Sequence, residues 1–214
     1  MDAHLWADRV PALIQSWYPG QSGGAAFAQI LFGDHSPEGK LPMSWERTLE
    51  ENPAYAHYYE EPGPDHKVAY AEGLNLGYRY YTTEHKQPLF PFGFGLSYTS
   101  FKLDGLHVTK VSGDDVVISL QVTNTGFQSG AEVVQVYVSD PSAIIKRPIE
   151  ELKGFAKVRL TPGKTETVTL HLDRRAFSYY DTGGHAWRVD PGEFQILVGT
   201  SSVNLPLRQS IHFE

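Results

Sequence analysis

A chain of 214 residues, 41% of them hydrophobic, is long enough for one large or two small domains and apolar enough to build a core. Its formal charge of -7, with a pI near 5.7, argues against nucleic-acid binding, which needs a basic surface, and fits a neutral substrate or a protein neighbour. The absence of cysteine excludes disulfides, thiolate metal sites and cysteine nucleophiles but leaves the redox compartment open.

Met1 to Trp6 has no basic n-region leading into an apolar stretch, so no targeting segment is expected there. No apolar run nears the roughly 20 residues that span a bilayer. Asp2 to Arg9 reads as a short helix that Pro11 stops, because proline lacks the amide donor. Ala12 to Trp17 is an apolar run consistent with a buried strand, and Pro19-Gly20 turns the chain. Ser22 is placed to cap a helix running to about Phe32, with Gly33 as its C-terminal glycine. That helix is apolar on nearly every side (Ala25, Ala26, Phe27, Ala28, Ile30, Leu31), so it expects to pack inside a larger body. A short strand at Leu41 to Trp45 completes an α/β pattern too small to stand alone, which suggests a truncated domain.

Residues 46–100 are rich in Pro, Gly, Tyr and His and read as an irregular connecting arm. Its aromatics (Tyr55, Tyr58, Tyr59, Tyr70, Tyr78, Tyr80, Tyr81) favour an arm packed on its neighbours over a disordered one. From Leu103 onward the hydrophobic period becomes two. Val116, Ile118, Leu120 and Val122 form one set; Val134, Val136 and Val138 a second; Val168, Leu170 and Leu172 a third; Phe194, Ile196 and Val198 a fourth. Turn signals at Asn124-Thr125-Gly126, Asp140-Pro141, Pro162-Gly163, Thr182-Gly183-Gly184 and Asp190-Pro191-Gly192 separate them. Seven or so short strands at this spacing read as an antiparallel β-sandwich, long enough to fold by itself.

Few motifs carry chemistry. Gly20-Gln21-Ser22-Gly23-Gly24 lacks the spacing of a phosphate loop and reads as a tight turn into the helix. Glu72 and Arg79 read as a structural ion pair or cap, with a general-acid role for Glu72 the less favoured alternative. The nine histidines make no metal-ligand spacing; His35, His57, His66 and His85 are expected on loops or the surface. Asp173, Asp181 and Asp190 look like turn residues, and Ser97 is not in a G-x-S-x-G elbow.

Taken in order, several segments form a combined pattern: Trp17-Tyr18-Pro19-Gly20-Gln21-x-Gly23-Gly24; Leu31-Phe32-Gly33-Asp34; Pro37-Glu38-Gly39-Lys40-Leu41-Pro42; Tyr70-Ala71-Glu72-Gly73; and Gly77-Tyr78-Arg79-Tyr80-Tyr81. Pro88 to Tyr98 then leads through Thr99 to Phe101, followed by Val122-Thr123-Asn124-Thr125-Gly126, Glu132 to Val138, Arg147-Pro148 and Glu151-Leu152-Lys153-Gly154-Phe155. This series resembles the C-terminal region of family-three glycoside hydrolases of β-glucosidase type, over essentially the whole chain. It departs at Glu38, where the family more often has serine.

The resemblance implies an α+β chain by segments. Residues 1–45 would be the closing part of an α/β sandwich, 46–100 the connecting arm, and 101–214 an all-β fibronectin-III-like sandwich. The parent activity would be retaining hydrolysis of terminal β-D-glucosyl residues. Its nucleophilic aspartate lies on a barrel, and its acid/base glutamate precedes the motif that here starts at Trp17. Residues 1–16 hold Asp2 and Asp8 but no glutamate, so no catalytic, cofactor-binding or metal-binding residue is carried over, and the chain alone is expected to be inactive. No metal or organic cofactor is implied. The expected partner is the missing N-terminal barrel and α/β domain, in the same or another chain, with a β-glucoside as substrate of the complete enzyme only. Nucleic acid and membrane are not expected; self-association through the apolar first segment is. The family suggests a periplasmic or secreted enzyme. The alternatives are a subunit of a split glycosidase and a stand-alone binding module, for which exposed aromatics among Tyr137, Tyr179, Tyr180 and Trp187 would be the sign.

Overall fold

The computed structural model describes residues 3–58, 70–111 and 114–214; Asp2, Tyr59 and His66 lie outside them. Within the described residues are three helices, α1 (Gly23–Leu31), α2 (Tyr55–Tyr58) and α3 (Tyr78–Thr83). The strands are β1 (Phe101–Lys110), β2 (Val116–Asn124), β3 (Gly130–Ser139), β4 (Glu151–Leu160), β5 (Thr165–Leu172), β6 (Tyr179–Asp181), β7 (Ala186–Arg188), β8 (Gly192–Gly199) and β9 (Leu207–Phe213).

The last hundred or so residues form the expected antiparallel sandwich. One sheet has the order β1-β2-β5 and the other β4-β3-β8-β9, with β6 and β7 as a separate hairpin. The four alternating sets lie on β2, β3, β5 and β8. Val116, Ile118, Leu120 and Val122 are all buried and pair in register against Leu172, Leu170, Val168 and Glu166 of β5. Side chains on a strand alternate between faces, so this spacing puts every second residue into the inter-sheet core. Phe177, Phe194 and Phe213 close one part of that core, with ring centroids 4.6 to 5.5 Å apart. Asn124, fully buried at the turn after β2, satisfies all of its amide. Its oxygen accepts from Thr99 Oγ1 and Gly126 N, and its nitrogen donates to the carbonyls of Gln128 and Leu160.

Alternation fails on β3, and the reason lies in the arm. Gln135 (3% exposed) and Tyr137 (0%), which should face water on a two-layer sandwich, are buried as completely as Val134, Val136 and Val138. Residues of the arm and of the segment before it lie on that outer face. Phe92 N–H bonds Ser44 Oγ, the Phe92 carbonyl accepts from Ser202 N, and Lys40 reaches Glu132 at 2.7 Å and the Gly95 carbonyl at 2.7 Å. Gln135 donates to the Thr200 carbonyl and accepts from the Tyr137 hydroxyl at 2.6 Å, so its buried amide is answered within β3 and the loop after β8. At the far edge Glu38, its side chain only 15% exposed, takes both guanidinium nitrogens of Arg159 at 2.6 and 2.7 Å and Lys157 at 3.3 Å.

The first 45 residues depart most from expectation. The helix expected over Asp2 to Arg9 is two 3-10 turns, Ala3–Leu5 and Ala7–Arg9. Ala12 to Trp17 is not a strand: it is exposed and makes no ladder, because an apolar run becomes a strand only beside a partner edge. The strand expected at Leu41 to Trp45 reduces to a single bridge from Trp45 to Phe90, flanked by backbone bonds from Leu41 to Phe94 and from Gly93 to Leu41. Helix α1 forms where expected and Gly33 (φ +81°) follows its end, but the Ser22 side chain makes no capping bond. Tyr98, through its hydroxyl on the Ile30 carbonyl at 2.8 Å, ties α1 to the end of the arm.

Candidate functional site

Three features stand out, and the first is the polar hub where the arm meets the sheet. Gly77, at φ +56°, lets the chain turn into α3 and aims Tyr78 at the sandwich. The Tyr78 ring stacks on Phe92 at 5.0 Å and meets Tyr137 edge-on at 5.7 Å, while its hydroxyl accepts from Leu152 N–H at 2.8 Å. Arg79 faces Glu151 at 3.8 Å, which corrects the pairing with Glu72 expected from sequence: the carboxylate comes from β4, not from the arm. Glu151 also receives Arg147 at 2.9 Å and Lys153 at 3.5 Å, and Arg147 lies 3.6 Å from Asp140. Burial alone would raise the Glu151 carboxyl, but the hydrogen bond from Arg147 and the charges of Lys153, Arg147 and Arg79 hold it below its ordinary range. Lys153 is pushed down by burial, against the pull of Glu151.

Beside this hub sits Glu150, a residue that nothing in the sequence singled out. It is 7% exposed, its Oε1 has no hydrogen-bond partner among the described residues, and burial, opposed only by the charge of Arg208, pushes its carboxyl up to about 7. A raised carboxyl suits a general acid, but Glu150 lines neither of the grooves described below. A retaining glycosidase needs two carboxylates roughly 5 Å apart across a substrate cleft.

The second feature is a groove of about 920 Å³ between the β6–β7 hairpin, the end of β5 and Leu74 of the arm. Tyr180 and Trp187 are register partners across the hairpin, 5.4 Å apart by ring centroid, and are 45% and 49% exposed. The Arg175 guanidinium lies 3.4 Å from the Trp187 ring centre. Asp181 fastens the hairpin by accepting from Gly183 N and pairing with Arg188 at 3.1 Å. Tyr137, by contrast, is core, and Tyr179 is half-buried with its hydroxyl on Asp190. A smaller cavity of about 410 Å³ lies among Gln15, Met43, Trp45, Asn52 and Tyr81.

The third feature is an apolar flank. Val10, Leu13, Ile14, Trp17, Tyr18, Leu31 and Phe32 are all exposed, Tyr18 at 98% and Phe32 at 84%. Only Gly23 of α1 is buried, against the Pro19 ring, so the helix that expects to sit inside a larger body has its apolar sides in solvent.

The remaining sequence candidates are structural. Gly20 to Ser22 turn the chain into α1, with Gly20 at φ +71°. Ser97 Oγ bonds Ser36 Oγ at 2.7 Å and helps fasten the arm. Asp173 caps the 3-10 turn Arg174–Phe177 through Ala176 N. His35, His57 and His85 stand on or beside short helical turns, and among the described residues no group of three or more His, Asp or Glu is placed to hold a metal ion. No helix among them is long and apolar enough to cross a membrane.

Residues 1–98 match the glycosyl hydrolase family 3 C-terminal domain, and residues 132–202 match the fibronectin type III-like domain. The thermostable beta-glucosidase B of Acetivibrio thermocellus is 46% identical over 96% of this chain and 27% of its own length. An exo-alpha-(1->6)-L-arabinopyranosidase of Bifidobacterium breve is 44% identical over 92% of this chain and 26% of its own. Among solved structures, a Bifidobacterium adolescentis GH3 beta-glucosidase superposes with a TM-score of 0.94 at 39% identity, covering all of this chain and 31% of that one. The Kluyveromyces marxianus beta-glucosidase in complex with glucose gives 0.92 at 41%, covering 98% and 25%. The chain thus spans about a quarter of the length of the relatives it matches.

Proposed function

This chain belongs to glycosyl hydrolase family 3, as a C-terminal part of a β-glucosidase-type enzyme, and from that premise we propose that it serves the enzyme structurally. It completes and braces the catalytic body and contributes no catalytic carboxylate. The observation that carries this reading is the apolar flank: α1 and the extended segment before it present Leu13, Ile14, Trp17, Tyr18, Leu31 and Phe32 to solvent, an apolar exposure that a folded protein ordinarily covers. Its occupant is the rest of the enzyme, which the family resemblance implies is an N-terminal barrel and α/β body. The carboxylates near the hub support the same reading, since Glu151 is taken by Arg147 and Lys153 and Glu150 is enclosed. Residues 46–100 act as the arm and 101–214 as the sandwich it braces. The complete enzyme hydrolyses terminal β-D-glucosyl residues by double displacement, with nucleophile and acid/base supplied outside this chain. Sugar choice is set elsewhere too: relatives of nearly equal identity here are named for glucosides and for arabinopyranosides.

The test is complementation. The chain alone releases no nitrophenol from an aryl β-glucoside. Mixed with the Acetivibrio thermocellus enzyme lacking its corresponding C-terminal quarter, it restores turnover. Steady hydrolysis by the chain alone, in a preparation free of host glucosidase, would overturn the assignment.

A further inference from the structure

We infer that the groove beside the β6–β7 hairpin binds a short, neutral gluco-oligosaccharide across Trp187 and Tyr180. The choice of sugar class rests on the glycosidase reading above; the groove itself does not. Its volume of about 920 Å³ lies in the range of small-ligand pockets, roughly 300–1,000 Å³. Two large aromatic rings stand half in solvent at its side, on a hairpin pinned by its own register and by the Asp181–Arg188 pair. Rigid, exposed rings next to placed polar groups suit the apolar faces and equatorial hydroxyls of a pyranose.

Charge narrows the ligand. The groove sets Arg147, Lys153 and Arg175 against Asp115, Glu151 and Asp173, so its charges balance, and Arg147 and Lys153 are paired directly with Glu151. A phosphate or sulfate would need cations not already committed. A polyhydroxyl ligand does not, because an ammonium paired once keeps further donors and a carboxylate paired twice keeps lone pairs. A protein partner fits less well, since the cores of protein interfaces are depleted in charge and this wall carries Glu151, Lys153, Asp173 and Asp115. His171, exposed on β5, and Thr182, in the hairpin turn, add further hydrogen-bonding groups at the rim.

The experiment titrates the full chain with cellotetraose and follows the indole N–H resonance of Trp187, identified by its loss in Trp187→Phe. The expected result is a saturable shift of that resonance with a dissociation constant on the order of 1 mM. The other three tryptophans should stay still. Trp187→Ala and Tyr180→Ala each weaken binding about tenfold or more. No movement of the Trp187 signal at about 50 mM cellotetraose, well past the expected midpoint, overturns the proposal, as does unchanged calorimetric binding in Trp187→Ala. Inorganic phosphate competing for the site would overturn the neutral-ligand assignment. Should Trp187→Ala fail to fold, the wild-type resonance decides alone. Trp187→Ala is expected to complement the truncated enzyme as well as the parent chain does. A silent groove therefore leaves the structural role standing, and failed complementation leaves the titration unaffected.

Discussion

Tyr78 joins the arm to the sandwich, and truncating it measures how much that joint is worth. Tyr78→Ala removes two ring contacts, with Phe92 and Tyr137, and the acceptor of Leu152 N–H. Each aromatic pair contributes about 0.5–1.5 kcal/mol beyond its burial, the hydrogen bond about 0.5–1.5, and aromatic-to-alanine changes in packed sites cost about 3–5 in all. Because the Tyr78 ring is only half-buried, the lower end applies, about 3 kcal/mol. In a chain of this size each kcal/mol shifts the melting midpoint by roughly 2–4 °C, so Tyr78→Ala should melt roughly 6–12 °C lower. Tyr78→Phe keeps both rings and strands only the Leu152 amide, costing about 1 kcal/mol and roughly 2–4 °C. Calorimetric scans of the three proteins give the comparison. An alanine variant that melts within a degree of the parent, or no lower than the phenylalanine variant, would show that the arm does not hold the sheet through this residue.

Glu150→Gln tests the buried carboxyl. Its folded value, about 7, lies above the ordinary 4.5, so the folded state keeps a proton that the unfolded chain releases. The group therefore contributes stability below about 4.5 that is lost as pH rises to about 7. Glu150→Gln should flatten that decline and gain up to roughly 3 kcal/mol over the parent at pH 8 but not at pH 4, as read by urea midpoints across pH. Asn124→Ala leaves the Leu160 and Gln128 carbonyls and the Gly126 amide without their buried partner, and should cost about 3 kcal/mol in urea unfolding. Excised residues 101–214 should still unfold cooperatively, because the inner core is self-contained. They should do so at a lower temperature than the full chain, with faster amide exchange at Gln135 and Tyr137, whose cover is gone.

The sandwich was legible because its inner face is a two-layer problem: Val116, Ile118, Leu120 and Val122 declare one buried side, and one buried side is what they have. The outer face of β3 was not. Gln135 and Tyr137 occupy positions that alternation assigns to water, and only the arm, about forty or more residues earlier in the chain, makes them core. The clue was indirect, in an arm too aromatic to be loose. Ala12 to Trp17 misled for the opposite reason: apolar content resembles a strand, but the ladder partner is a property of the neighbours. The hub escaped because Arg79 has an acid seven residues before it, whereas its partner Glu151 lies across the fold. Trp187 and Tyr180 could have been core or surface, and the three-residue hairpin strands leave both rings about half exposed among the described residues.

The clasp of Glu38 on Arg159 bears on how this sequence came about. Glu38 occupies a position where the resembled family more often has serine, and its carboxylate is largely sheltered, whereas Arg159 remains 67% exposed. The two partners are thus unequal as first steps. An exposed arginine is harmless by itself beside a serine, but a sheltered glutamate without Arg159 would be left with Lys157, at 3.3 Å, as its one cation. Arg159 first and Glu38 second is the order that avoids a sheltered carboxylate held by a lysine alone. Chains that keep serine at this position should therefore vary freely at the one corresponding to Arg159, while those with glutamate should not.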